Sequence, residues 1–325
     1  MSGSRNQRIL VAESQMTPDR SHRRRRAQGK RTLGGRDEAE AGMDVVRREL
    51  AGELGRVVRA LRQGNRSDRH IHDVRARLKH CRALLRLLRK SLGREAYQRE
   101  NARLRDAARP LVAVRDATVL VRAFDGLCPR SSGGTTTFGS IRTALRRECR
   151  ERREQLHRKA LLSSAQLVGG VARHMRMRPQ AQLGRADLAK AVKRAYRTSR
   201  RAMTVAEQQR SRDRLHEWRK QVKYFAGQLK FLSPLMRKRL GKTYEKSLRL
   251  ADCLGDDHDL ALLHDKIIQH RQSGGGGAVD ALVHRLAQRR AKLQRKAYRY
   301  GRRLFDASAG RLEARVRRRL RTIAE

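Results

Sequence analysis

Two stretches of this chain repeat one arrangement of basic side chains. The pattern His-x-x-Arg-x-x-x-Lys occurs at 72–79 and again at 216–223, 144 residues further along. A guanidinium group makes planar two-point contacts with phosphate oxygens, an ammonium group acts as a point charge, and a neutral imidazole still donates one hydrogen bond. The pattern therefore favours binding of an anion whose charges repeat at short intervals.

On a helix, the basic residues of each copy fall on one stripe beside an apolar stripe. The centres of the two stripes in the first copy lie about 120° apart, so the cations flank the buried seam. Either stripe alone could be a solvated charged face, but two copies in register favour a function. Two such helices would line one concave positive surface. The predicted binding residues are His72, Arg75, Lys79, Arg82 and Arg86 in the first copy, and His216, Arg219, Lys223 and Lys230 in the second.

The composition points to a polyanionic partner. Lys and Arg number 80 against 32 Asp and Glu, a formal net charge of +48. Self-repulsion on this scale opposes a compact fold unless anions bind. DNA, RNA, an anionic membrane surface and an inorganic polyanion are all candidates from charge alone. No run approaches the roughly 18 apolar residues of a transmembrane helix, and we expect a cytoplasmic protein. The four scattered cysteines are expected to be reduced and mostly buried.

Apolar residues recur every three or four positions from residue 37 onward, and alternation typical of strands is missing. The sequence predicts an all-α fold of two pseudo-symmetric antiparallel four-helix bundle halves with long helices, at about 37–180 and 185–322. Residues 1–36 are predicted to be a disordered basic tail. The predicted helices cover about 46–61, 68–92, 95–124, 140–160, 161–177, 186–204, 212–232, 237–272 and 278–322, with loops at 126–139 and 274–277.

Histidines and acids next to the motifs raise the question of a metal site. His70, His72 and Asp73 in one place, and residues 256–259 in another, offer ligand atoms. Metal sites usually need three or more converging side chains, and His70 and His72 point to different faces of a helix. We predict no metal ion and no cofactor. His72 and His216, crowded by cations, are expected to stay neutral and to donate hydrogen bonds to phosphate.

A second element is also duplicated. The segment 111–116 aligns with 254–259, which pairs Asp116 with Asp259. These carboxylates could be catalytic, but acids that orient neighbouring Arg and Lys side chains are commoner. We assign Asp116 and Asp259 the orienting role.

These motifs resemble the CHAD family, the conserved-histidine α-helical domain. The likeness covers roughly 40–310 and rests on both basic motifs, including Lys220, and on the Leu254-Gly255-x-x-x-Asp259 element. It implies two four-helix halves that bind inorganic polyphosphate, often at polyphosphate granules, with Lys220 among the contacts. The sequence departs from the family at Ala226 and Gly227, where relatives often carry an aromatic or basic residue followed by Tyr. Some relatives follow a triphosphate tunnel domain, whose Glu-x-Glu-x-Lys motif is absent here.

The leading hypothesis is therefore a non-enzymatic polyphosphate-binding protein, with no membrane partner. A nucleic-acid-binding basic protein is the alternative, although aromatic residues make up only 4% of the chain and single-strand binders usually stack bases on aromatic rings. Weak, non-specific nucleic-acid binding is expected in either case. A metal-assisted phosphohydrolase is the third reading, without a nucleophile, base or phosphate loop to support it.

Overall fold

The described residues fold into helices without a strand, which confirms the predicted all-α class. A computed structural model describes residues 45–128, 136–177, 185–235, 240–271 and 276–321. The predicted basic tail lies outside these residues, as do residues 129–135 and 274–275 of the two predicted loops. Gly276 and Gly277, predicted as loop, belong to a helix.

Twelve helices make up the described part of the chain. In chain order they are α1 (45–63), α2 (Asp68–Leu87), α3 (Arg89–Leu92), α4 (Arg94–Ala108), α5 (Pro110–Leu127), α6 (Thr136–Glu154), α7 (Arg158–Met177), α8 (Arg185–Gln209), α9 (Arg212–Leu235), α10 (Gly241–Arg271), α11 (Gly276–Leu304) and α12 (Ala309–Arg321).

The two motif helices, α2 and α9, pack against each other in the middle of the structure. α5 packs beside α2, α10 packs beside α9, and α5 and α10 also touch. α4 and α7 pair on one side, while α8 and α12 pair on the other. α2 and α9 begin 144 residues apart, the length of the sequence repeat. A two-fold relation between the halves, and their boundaries, stay predictions.

Local sequence explains why α2 begins and ends where it does. The Ser67 hydroxyl accepts a hydrogen bond from the backbone N–H of His70, and Asp68 lies in the first turn, where its charge favours the helix N-terminus. The predicted apolar stripe is buried over its whole length, from Val74 to Leu88. α2 ends at Leu87, and after the short α3 the chain turns at Gly93, whose φ of 78° suits glycine.

Three predicted helices are wrong as single elements. The predicted helix 68–92 ends at Leu87, and the short α3 follows at Arg89–Leu92. The predicted helix 95–124 divides at Pro110, which begins α5 because proline cannot donate the hydrogen bond that a continuing helix needs. The predicted helix 278–322 ends at Leu304 and restarts as α12. There the Tyr196 hydroxyl donates to the Ala307 carbonyl, and the Ser308 hydroxyl accepts from the N–H of Arg311, capping the next helix.

The central helices approach so closely that one position on α9 requires glycine. A Cβ atom added to Gly227 would lie 2.8 Å from the Cβ of Ala83 on α2. Real Cβ contacts are not this short, so a larger residue would push α2 and α9 apart. The sequence departure at 226–227 thus has a structural counterpart in the packing of the two motif helices.

Gly227→Ala is expected to lower the free energy of unfolding by about 1–3 kcal/mol, because overpacking outweighs the helix propensity that alanine adds. Chemical denaturation measures the change. Gly169→Ala on α7 is the matched control, since nothing lies within 4 Å of the added Cβ, and it should stabilise. Ala83→Gly in the Gly227→Ala background should recover part of the loss. Equal effects at 227 and 169 would contradict the close approach.

Candidate functional site

A cavity of about 420 Å³ lies where α2, α5, α9 and α10 meet. We call it the central basic cavity. Both motifs contribute cations to it, and α5 adds another. The basic and histidine side chains that line it are His72, Arg75, Lys79, His80, Arg115, Lys223 and Lys230. The α10 wall supplies Tyr244, Leu248, Ala251 and Asp252. Cations from distant parts of the chain therefore converge on one concave surface.

Two guanidinium groups beside the cavity are buried with donors left over. Arg219 is only 8% exposed, and its Nε atom has no hydrogen-bond partner among the described residues. The Nε and Nη1 atoms of Arg75 are also buried and lack a hydrogen-bond partner among the described residues. A buried donor without an acceptor costs about 1–3 kcal/mol, and such groups are rare in folded proteins. Arg75 lines the central basic cavity, so an anion there would supply acceptors for its guanidinium group, whereas Arg219 is not among the lining residues.

Arg115 is fixed at one end of the cavity by the two duplicated aspartates. Its Nη1 atom donates to Asp116 at 3.0 Å, and its Nη2 atom donates to Asp259 at 3.1 Å. The Arg115 side chain is only 17% exposed. Both carboxylates thus orient a cation, as predicted for this pair, and they hold the guanidinium in a defined position.

The two motif lysines lose part of their hydration in the cavity. Burial, with Lys223 and Arg75 nearby, lowers the pKa of Lys79 to about 7. Water reaches the Lys79 side chain, but the walls of the recess replace much of its hydration shell. Burial and the neighbouring Arg219 lower the pKa of Lys223 to about 8. An anion between these lysines would restore favourable surroundings for their charged forms.

A family model for the CHAD domain matches residues 45–267. The chain belongs to the CHAD family. The match includes both basic motifs and ends before α11, and it confirms the resemblance inferred from the motifs. A search of curated proteins finds no match.

The histidine of the second motif in this CHAD domain faces another histidine instead of the central basic cavity. The Nδ1 atoms of His216 and His258 lie 3.4 Å apart. Burial, followed by the charge of Arg219, lowers the pKa of both imidazoles, to about 3 for His258. The direction agrees with the prediction that His216 stays neutral. His72, by contrast, lines the cavity.

Three other predicted binding residues make contacts away from the cavity. Arg82 donates to Asn101 at 3.0 Å, and Arg86 donates to Tyr97 at 2.8 Å. Both guanidinium groups also lie over the Tyr224 ring, with the Arg86 carbon 3.7 Å from its centroid. They therefore join α2 to α4 and α9. Lys220 is exposed and pairs with Glu217 on its own helix.

Sequence reasoning missed several lining residues, of which Arg115 is the most important. Arg115 lies inside the second duplicated element, directly before Asp116, so its position carried a usable signal. His80, Tyr244 and Asp252 belong to no repeated pattern. They reach the cavity only through the packing of α2 and α10.

One group of possible metal ligands exists in the described ranges, and it differs from those weighed in the sequence. Ligand atoms of Glu49, Glu53 and His80 lie within 4.8 Å of one another. Glu53 already forms ion pairs with Arg56 at 2.9 Å and Arg77 at 3.0 Å. A metal ion would have to displace two guanidinium groups, so these residues fit an ion poorly.

No helix among the described residues has the length and apolarity needed to span a bilayer.

The lowered lysine pKa values predict a specific pH dependence of stability. Between the folded pKa values of about 7 and 8 and the ordinary value of 10.5, the unfolded chain binds more protons than the folded protein. The stability of the wild type relative to a Lys79→Met/Lys223→Met variant should therefore rise as pH increases through this window, and be lowest below about pH 7. Chemical denaturation of both proteins across the window measures the difference.

A Lys159→Met/Lys242→Met variant removes two charges from exposed positions and serves as the control. If its stability difference from the wild type followed pH in the same way, general charge removal would explain the effect and the cavity lysines would have no special part in it.

Proposed function

We propose that this CHAD domain binds inorganic polyphosphate in the central basic cavity. The observation that carries the proposal is the convergence of cations from α2, α5 and α9 on one cavity, beside buried guanidinium donors that lack partners among the described residues. Polyphosphate offers negative oxygens at every link of its chain. Each bound phosphate would provide acceptors for these donors and release condensed counterions.

The size of the cavity favours a thin chain. Its volume of about 420 Å³ equals that of a sphere only about 9 Å across, too small to admit a nucleic-acid duplex. Tyr244 is the single Phe, Tyr or Trp among the lining residues, so stacking of several successive bases finds little support. A polymer with neither bases nor sugars fits these surroundings best.

Nucleic acid is the second candidate because the net charge of +48 attracts any polyanion. Exposed basic groups outside the cavity support it, such as Arg197, Arg200 and Arg201 on α8. Binding of this kind depends on surface charge and not on the central basic cavity. Variants of the cavity therefore separate the two candidates.

The proposal is for binding without hydrolysis. The cavity offers chiefly cations and hydrogen-bond donors, and the duplicated carboxylates Asp116 and Asp259 are engaged with Arg115.

We also propose association with polyphosphate granules in the cytoplasm, since other members of the family are often found there. A fluorescent fusion should accumulate at granules, and the Lys79→Met/Lys223→Met fusion should stay diffuse. Equal accumulation of both would contradict targeting through the cavity.

The Lys79→Met/Lys223→Met variant should lose about 100-fold in polyphosphate affinity, because two charge-assisted hydrogen bonds contribute about 1.5 kcal/mol or more each. The same variant is expected to be more stable than the wild type at neutral pH, so lost binding cannot be assigned to unfolding. A competition assay at about 150 mM salt, with labelled long-chain polyphosphate challenged by polyphosphate, duplex DNA or RNA, measures both affinity and selectivity.

An Arg197→Ala/Arg200→Ala variant removes the same amount of charge from α8 and should retain most of the affinity. Equal losses in the two variants would leave only a general basic surface. Displacement of polyphosphate by DNA or RNA as readily as by unlabelled polyphosphate would make nucleic acid the leading partner.

A further inference from the structure

A second cavity, of about 660 Å³, lies between α5, α10 and α11. We call it the flanking cavity. Five cationic side chains line it, together with two carboxylates and an apolar floor. The cations are Arg115, Arg122, Arg285, Arg289 and Lys292, the carboxylates are Asp256 and Asp259, and the floor includes Val119, Ala123, Leu260 and Leu293. Cations therefore outnumber carboxylates, and the apolar floor lowers the local dielectric, which strengthens attraction of an anion.

The flanking cavity adjoins the central basic cavity. His72 and Arg115 line both. Arg115 is the cation held in place by Asp116 and Asp259, so the junction is a fixed positive charge with a histidine beside it. A chain of phosphates that leaves the central basic cavity past Arg115 would enter the flanking cavity directly.

Most cations of the flanking cavity form no hydrogen bond or ion pair with the described residues. Across the described ranges, Arg122, Arg289 and Lys292 make no hydrogen bond or ion pair, although all three are exposed to solvent. Their neighbour Arg290 donates to the buried Asp257 at 3.1 Å, which fixes α11 to α10. α11 thus uses Arg290 in a structural contact and leaves the adjacent Arg289 exposed to a ligand.

One of the two carboxylates in the flanking cavity already forms an ion pair. Asp259 is paired with Arg115. Asp256 is exposed and forms no ion pair within 4 Å among the described residues, although the charges of Arg289 and Lys296 act on it. Its negative charge therefore weakens the positive potential of the flanking cavity. A variant without this charge should bind an anion more tightly.

We propose that the flanking cavity is a second polyphosphate subsite, continuous with the first, so that a long chain occupies both cavities and a short chain only the central one. The proposal rests on the proposed function and extends it to chain length. α11 supplies three of the five cations, and α11 begins beyond the part of the chain that the family model matches. Chain-length preference would then be a property of residues outside the two duplicated motifs.

The test compares tripolyphosphate with long-chain polyphosphate on two variants that remove equal charge. Arg285→Ala/Arg289→Ala/Lys292→Ala alters exposed positions of the flanking cavity, and Arg197→Ala/Arg200→Ala/Arg201→Ala alters exposed positions of α8. The α11 variant should bind the long chain at least about tenfold more weakly, with a log–log salt slope shallower by about 2–3. Its affinity for tripolyphosphate should stay within about twofold. The α8 variant should change both affinities little.

Asp256→Asn provides a second measurement that does not depend on loss of binding. It should strengthen long-chain binding by about two- to fivefold and leave tripolyphosphate binding unchanged. Equal long-chain losses in the α11 and α8 variants would overturn the second subsite, while the proposed function would stand if the Lys79→Met/Lys223→Met variant still failed to bind. A wild type that bound neither polyphosphate would overturn both proposals.

Discussion

Cations crowd together between α2 and α9, and the rest of the structure must offset their repulsion. Arg219 is almost fully buried, and Arg75, Lys79 and Lys223 have lowered pKa values because the fold removes part of their hydration. Such a cluster opposes folding. Apolar packing on the other faces of the helices must offset it, and it is extensive, with Trp218, Val222, Phe225 and Leu229 of α9 all fully buried. The contact at Gly227 then decides how close the charges come.

The basic residues of one stripe divide into two roles. Arg75 and Lys79 line the central basic cavity, whereas Arg82 and Arg86 lie over Tyr224 and hydrogen-bond to α4. Arginine suits the second role because its planar guanidinium group can stack on a ring while it donates in its own plane. The stacked arginines hold α2 against α9, and the same helices present the lysines. The C-terminal part of the α2 stripe therefore holds the helices together, and its N-terminal part supplies charge to the cavity.

Helix periodicity predicted the fold class and most of the core, because burial of Val74, Leu78 and Leu85 depends only on their spacing along one helix. The break between α11 and α12 could not be predicted in this way. The local sequence there favours a helix, and the turn depends on the Tyr196 hydroxyl from distant α8. Some residues of the site could be predicted from the motif spacing and others could not. The motif spacing identified Lys79 and Lys223, but it gave no weight to Arg115, whose place in the cavity depends on how α5 packs. It also grouped Arg82 with the lining residues, because a helical wheel does not show which neighbour a long side chain meets.

The residues that precede the two duplicated aspartates differ, and this difference gives the interior a direction. Arg115 and His258 are aligned in the repeat, yet Arg115 carries a permanent charge, while burial keeps His258 neutral and pairs it with His216. The aligned position therefore carries a guanidinium charge in the first half and a neutral imidazole in the second, where the charge of Arg219 lies nearby. A linear phosphate polymer has identical ends and carries no polarity of its own. Any preferred direction of threading would consequently be imposed by the protein, at Arg115, and would be the same whichever end of the polymer entered first.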